Sequence, residues 1–118
     1  MAAEVTLTEG AIEDLDDLDG SVQRQVIKGL IKLANAPEQR GKPLGSNLTG
    51  FRRLVVGNRD HRIVYRVMDD GTLVVVLVIA RRADDACYKL ALARLRMHSE
   101  ERIRELALPL ASVLDPEQ

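Results

Sequence analysis

The residues of this chain best suited to chemistry are arginines, and between residues 48 and 88 strands set their spacing. Three runs rich in Val, Ile, Leu and Tyr read as strands: Phe51–Val56, His61–Val67 and Thr72–Ala80. Alternate residues of a strand share a face. Arg62, Val64 and Arg66 therefore share one face of the middle run, and Ile63, Tyr65 and Val67 the other. In the run before it, Arg53 goes with Val55, and Leu54 with Val56. The simplest sheet turns Leu54, Val56, Ile63, Tyr65 and Val67 to the core. Arg53, Arg62 and Arg66 then point away together. Arg59 falls in the first turn, and Arg81 and Arg82 follow the third run. Clustered cations of this kind can hold a polyanion. The other reading is that they decorate a solvated sheet face.

Charge along the chain is segregated. Residues 1–39 carry 3 basic and 8 acidic groups, residues 40–96 carry 12 and 5, and residues 97–118 carry 2 and 5. A basic middle between acidic ends can meet a polyanion locally while the whole chain stays near neutral. Aromatics are only 3% of the 118 residues, so the core must be aliphatic and stacking platforms for bases are scarce. The length fits one domain. No apolar run approaches the ~20 residues of a membrane span, and the first residues do not read as a signal peptide. A single cysteine, Cys87, allows no internal disulfide and too few thiolates for a cysteine zinc site. These features suit a reducing cytoplasm.

The elements that position the arginines begin with a short strand at Val5–Thr8. Thr8 can cap a helix whose apolar face is Ala11, Leu15 and Leu18. Glu13, Asp14, Asp16 and Asp17 lie outside that stripe and read as a solvated face. Gly20 can close this helix in a left-handed conformation, and Ser21 can cap the next. Val22, Val26, Ile27, Leu30, Leu33 and Ala34 then recur at helical spacing until Pro37 ends the run. The two helices make a hairpin with a narrow apolar seam, suited to lying on a sheet. Residues 37–47 read as a loop anchored by Leu44, with Leu48 just beyond it. Gly41 and Lys42 alone are too little for a phosphate loop. Gly57-Asn58 and Asp69-Asp70-Gly71 read as hairpin loops. The third run, apolar on both faces, reads as a central strand, which requires a cover beside Val74, Val76 and Val78. A late amphipathic segment supplies one: a helix capped by Asp84 or Asp85 that runs to about Met97, then a second stripe of Ile103, Leu106, Ala107 and Leu110 that Pro109 stops or kinks. The fold class is α+β, in the order β-α-α-β-β-β-α, with a helical hairpin on a small, mostly antiparallel sheet. Residues 1–98 form the domain and 99–118 a helical extension with a frayed tail.

With these elements in this order, the chain resembles the RelE/ParE superfamily of bacterial toxins over roughly residues 4–90. The pieces that carry the likeness are Gly41-Lys42-Pro43-Leu44, Leu48-Thr49-Gly50-Phe51-Arg52-Arg53, His61-Arg62-Ile63-Val64-Tyr65-Arg66-Val67, Val76-Leu77-Val78-Ile79-Ala80-Arg81-Arg82 and Tyr88. The resemblance implies a toxin of a type II toxin–antitoxin pair, with a cognate antitoxin as partner in a hetero-oligomer. In the RelE branch it implies an endoribonuclease that cuts mRNA on the ribosome with no metal and no cofactor. A ribose 2′-OH attacks the adjacent phosphate there. Carried over, Arg53, Arg62, Arg82 and Tyr88 are the catalytic set, and Arg59, Arg66 and Arg81 bind RNA. The chain departs from the RelE pattern at Val55, where that branch has a second lysine, and Arg53 replaces the first. Guanidinium is a poor base near neutrality. Histidine is the side chain suited to act as a base near neutrality, but parity sends His61 to the Ile63 face. Two alternatives follow: a ParE-like inhibitor of DNA gyrase without nuclease activity, and a degenerate toxin that only binds its antitoxin.

Overall fold

One strand, Leu73–Arg81 (β5), runs through the middle of the fold, with Val74 to Ile79 all buried. A strand buried on both faces needs a layer on each side. The computed structural model describes residues 3–44, 50–57, 60–68, 71–81, 86–97 and 100–114, with the backbone alone for 86–88, 95, 96, 100 and 104. The strands are β1 (Glu4–Leu7), β2 (Lys42–Pro43), β3 (Phe51–Val56), β4 (His61–Met68), β5 and β6 (Leu108–Pro109). Their order in the sheet is β2-β3-β4-β5-β1-β6. Every pairing is antiparallel except β1 with β5, which is parallel. The sheet is thus mostly antiparallel, as the sequence predicts, and β1 reaches the far side of β5 through the helical hairpin.

That hairpin is α1 (Glu9–Asp16) and α2 (Gly20–Lys32). The Thr8 hydroxyl accepts from the Ala11 N–H and caps α1. The junction differs from expectation. Asp19, in extended backbone, starts α2, so Gly20 is its first residue and Ser21 lies inside it. Ala11, Leu15, Val26, Leu30 and Leu33 pack with Ile63, Tyr65, Val74, Val76 and Ile79. Gly29 lets α2 lie close on the sheet: a Cβ there would stand 2.6 Å from Val56 Cγ1.

The other layer is α3 (Ala86–Met97) and α4 (Glu100–Leu106). Ala91 and Ile103 pack with Phe51, Val64, Val75, Leu77 and Val78. The face assignment of β5 is therefore a correction. Val74 and Val76 join the hairpin layer, and Val75, Leu77 and Val78 lie on the arginine side. The cause is a register shift opposite Val64/Tyr65, which inserts Leu77 and changes the phase of the strand. The second late helix also stops early. After Ala107 the chain pairs Leu108 with Leu7 as β6, and α5 (Leu110–Leu114) follows. Leu110 and Val113 reach round to the hairpin layer. Proline at 109 has no N–H to continue a helix. No helix of the described residues is long and apolar enough to cross a membrane.

Beyond the end of β1, two backbone groups of β5 lose their strand partner. Asp14 Oδ2 accepts from the Ile79 N–H at 3.1 Å, and Arg94 Nη1 donates to the Leu77 carbonyl at 2.7 Å. Arg94 also pairs with Asp14, at 2.8 Å. Asp14 is therefore a structural tie between α1, β5 and α3, not part of a solvated acidic face. Gly10 makes room for it, since a Cβ there would fall 2.6 Å from Arg94 Nε.

The loop before β3 is fixed from beneath. The Tyr65 hydroxyl lies 3.0 Å from the Pro37 carbonyl and 2.8 Å from that of Arg40, and Arg52 Nε donates to the same Arg40 oxygen at 2.9 Å. Burial pushes the Tyr65 hydroxyl above its ordinary 10.0, and Arg52 pulls part of the way back. The neutral form is the one the fold favours. Its contribution is full below pH 10 and is lost as pH rises through the higher folded value. Tyr65→Phe should cost about 1 kcal/mol at pH 8. The gap between wild type and variant should narrow as pH rises above 10. Urea unfolding at pH 8 and 10.5 measures both, and a gap that widens with pH would contradict the assignment.

Candidate functional site

The register of β3 against β4 decides which arginines meet. Arg53 stands opposite Val64, Val55 opposite Arg62, and Phe51 opposite Arg66. Arg53 is therefore the diagonal neighbour of both Arg62 and Arg66, about 7–8 Å away at the backbone and on the same face. All three side chains are half-buried. Val64 between them is fully buried, under the cluster that contains Ala91 of α3. The Nε atoms of Arg53 and Arg62 are buried on this face. Arg66 lies over the Phe51 ring, 5.2 Å from its centroid, which uses the cross-strand pair to fix its position.

Two further details shape this face. Gly41, at φ +61°, lies so close to the Arg53 carbonyl that any Cβ would overlap it. Its role is to bring β2 alongside β3, where Lys42 pairs with Arg53. Lys42 thus adds a cation at the sheet edge that the sequence argument had set aside with the loop. Val55 is 41% exposed beside Arg62, so an apolar side chain occupies part of the basic face.

The remaining expected site residues divide as follows. Arg81 stands opposite His61, at a register position on the hairpin side of the sheet, so it does not join the other three. Arg59 and Arg82 lie outside the described residues, and Tyr88 is placed only as part of the α3 backbone. His61 is buried at 9%, not solvated, and its Nδ1 finds no hydrogen-bond partner among the described residues. It packs on the hairpin side, beneath the face that carries the arginines.

Residues 5–86 match the family described as the ParE toxin of type II toxin–antitoxin system, parDE. The chain belongs to the RelE/ParE superfamily of type II toxins. An Escherichia coli protein described as a RelE-like toxin is 26% identical over 96 residues, which cover 81% of this chain and 100% of that one. Among solved structures, the toxin–antitoxin complex RelBE2 of Mycobacterium tuberculosis contains a chain 30% identical, with a TM-score of 0.63 over 70% of this chain and 100% of that one. E. coli RelE carrying two arginine-to-alanine substitutions, in the free state, gives a TM-score of 0.68 at 22% identity over 80% and 99%. That last likeness is one of fold.

Binding of a nucleic acid to the arginine face would have a measurable signature. On a single-stranded oligonucleotide, each phosphate contact contributes about 0.7 to the slope of log affinity against log salt. Arg66→Ala should weaken binding at low salt for every sequence tested and reduce that slope by about 0.7. Fluorescence anisotropy across a salt series checks this, and an unchanged slope would take Arg66 out of the interface.

Proposed function

We propose that this toxin inhibits translation as an endoribonuclease that cuts mRNA on the ribosome. The observation that carries the reading is Arg53 set diagonally between Arg62 and Arg66 on one face of the sheet. The 2′-oxygen of a ribose attacks the adjacent phosphorus, and the bond to the 5′-oxygen breaks. The products are a cyclic phosphate and a free 5′-OH. The 2′-OH gives up a proton, the 5′-oxygen takes one up, and the phosphorane between them carries extra negative charge. Arg53 and Arg62 stabilise that charge, since a guanidinium presents a planar fork of donors matched to phosphate oxygens and stays cationic. Arg82 is the third cation of the set and Tyr88 the acid or stacking platform. Arg59 and Arg66 hold the flanking RNA, and Arg81, on the hairpin side of the sheet, is not part of that set. No metal or cofactor enters the reaction as written. The toxin acts in the cytoplasm, and a cognate antitoxin neutralises it in a hetero-oligomer. The likeness to a chain of a RelBE2 toxin–antitoxin complex supports that partner.

A second reading rests on Val55 and on the matching family. The ParE description, with an exposed valine where the RelE pattern has a lysine, favours inhibition of DNA gyrase by binding alone. One variant separates the two. Arg62→Ala should raise the cleavage barrier by about 2–4 kcal/mol, a loss of roughly 30- to 1,000-fold in rate. Ribosome-bound mRNA and a purified gyrase supercoiling reaction should be run side by side. Intact mRNA with arrested supercoiling would move the function to gyrase.

A further inference from the structure

The reaction written for the arginine face lacks one part, the group that takes the 2′-OH proton. Arg53, Arg62 and Arg66 carry guanidinium groups, which do not give up their proton near neutral pH. His61 is buried on the hairpin side of the sheet. Along β2, β3 and β4, the other described side chains turned to the arginine face are apolar, with Lys42 the one exception. Lys42 stands directly opposite Arg53, so the two share a face. Val64 lies opposite Arg53 on the other side. Lys42, Arg53 and Val64 therefore form one row across three strands, about 10 Å over two strand spacings. Arg62 and Arg66 flank Val64 at the far end of the row, and Lys42 is exposed at the near end. The backbone around Lys42 is tied on both sides. Before it, the Arg40 carbonyl accepts from the Tyr65 hydroxyl at 2.8 Å and from Arg52 Nε at 2.9 Å, and the Gly41 carbonyl accepts from Arg52 Nη2 at 3.3 Å. After it, the Leu44 N–H donates to the Phe51 carbonyl at 2.9 Å. A lysine that only guards a sheet edge against pairing needs charge and no fixed place. These ties give Lys42 a fixed place as well.

We propose that Lys42 is the catalytic base of the arginine face. Its neutral amine takes the 2′-OH proton as the 2′-oxygen bonds to phosphorus. The bond from phosphorus to the 5′-oxygen breaks, and Tyr88 gives that oxygen a proton. The ammonium left on Lys42 and the phenolate left on Tyr88 return to their starting forms by proton exchange with water. An amine can serve where a guanidinium cannot, because its neutral form is accessible. Arg53, between Lys42 and the other two arginines, then holds the phosphate beside the base. The proposal rests on the nuclease reading and adds to it the residue that starts the reaction.

The test uses the full toxin and mRNA held on ribosomes. Single-turnover cleavage gives the rate, and a message with hydrogen in place of the 2′-OH at the cut site gives binding without reaction. Lys42→Arg keeps the charge and removes the base, whereas Lys42→Ala removes both. Each should slow cleavage about 100-fold or more, and only Lys42→Ala should bind the deoxy message less tightly. Methylamine and other small primary amines should restore part of the cleavage by Lys42→Ala, more so the more basic the amine, and leave the wild-type rate unchanged. A structural role would not produce that trend. Lys42→Arg that cuts at the wild-type rate overturns the proposal and leaves Lys42 as a charge alone. Slow cleavage by both variants with no rescue by any amine overturns it too, because the loss is then one of position. Wild-type toxin that leaves the message intact overturns the nuclease reading itself, and the proposal with it.

Discussion

The fold depends on the double burial of β5. With six consecutive residues out of water, the strand must have an apolar layer on each face and a hydrogen-bonded neighbour on each edge. The hairpin of α1 and α2 supplies one face, and α3 with α4 the other. β4 supplies one edge along its whole length, but β1 is only four residues long. Past its end, Asp14 and Arg94 take over as side-chain partners of Ile79 and Leu77. Leaving such groups buried and unsatisfied would cost about 1–3 kcal/mol each. One ion pair thereby joins the two layers across the strand they share.

The same constraint shapes the functional surface. Because α3 must cover Val64 and Val78, it occupies the centre of the sheet face and leaves the arginines of β3 and β4 at its margin. They stand half-buried on the sheet, and the Nε atoms of Arg53 and Arg62 are out of water. Phe51 and the close approach of Gly41 fix the backbone around Arg53 and Arg66. A phosphate backbone meeting this face finds cations whose spacing is set by strand register.

Much of this was legible in the sequence because period-two alternation carries the face assignment of β3 and β4. Leu54, Val56, Ile63, Tyr65 and Val67 could not all be core unless Arg53, Arg62 and Arg66 faced away. The helical hairpin was equally readable from its 3.6-residue repeat. What failed was β5. An all-apolar strand has no alternation to read, and the bulge at Leu77 shifts its phase without any local signal. Asp14 misled for a different reason: its partners, Ile79 and Arg94, are 65 and 80 residues away, so helix periodicity alone marked it as surface. The end of the late helix at Leu106 was set by the pairing of Leu108 and Pro109 with β1, a tertiary contact that the local pattern of Leu106, Ala107 and Leu110 could not express. Of the short motifs that carry the RelE/ParE likeness, the register brings Arg53, Arg62 and Arg66 to one face and puts Arg81 on the other.

The central claim is that the arginine face acts on mRNA held by a translating ribosome. Primer extension on a translated message tests it most directly, with purified toxin added to extract that contains ribosomes and to extract depleted of them. The account predicts cuts within codons that appear only where ribosomes translate, and that leave 5′-hydroxyl ends. Intact message in both extracts, from protein that still arrests growth, would contradict it.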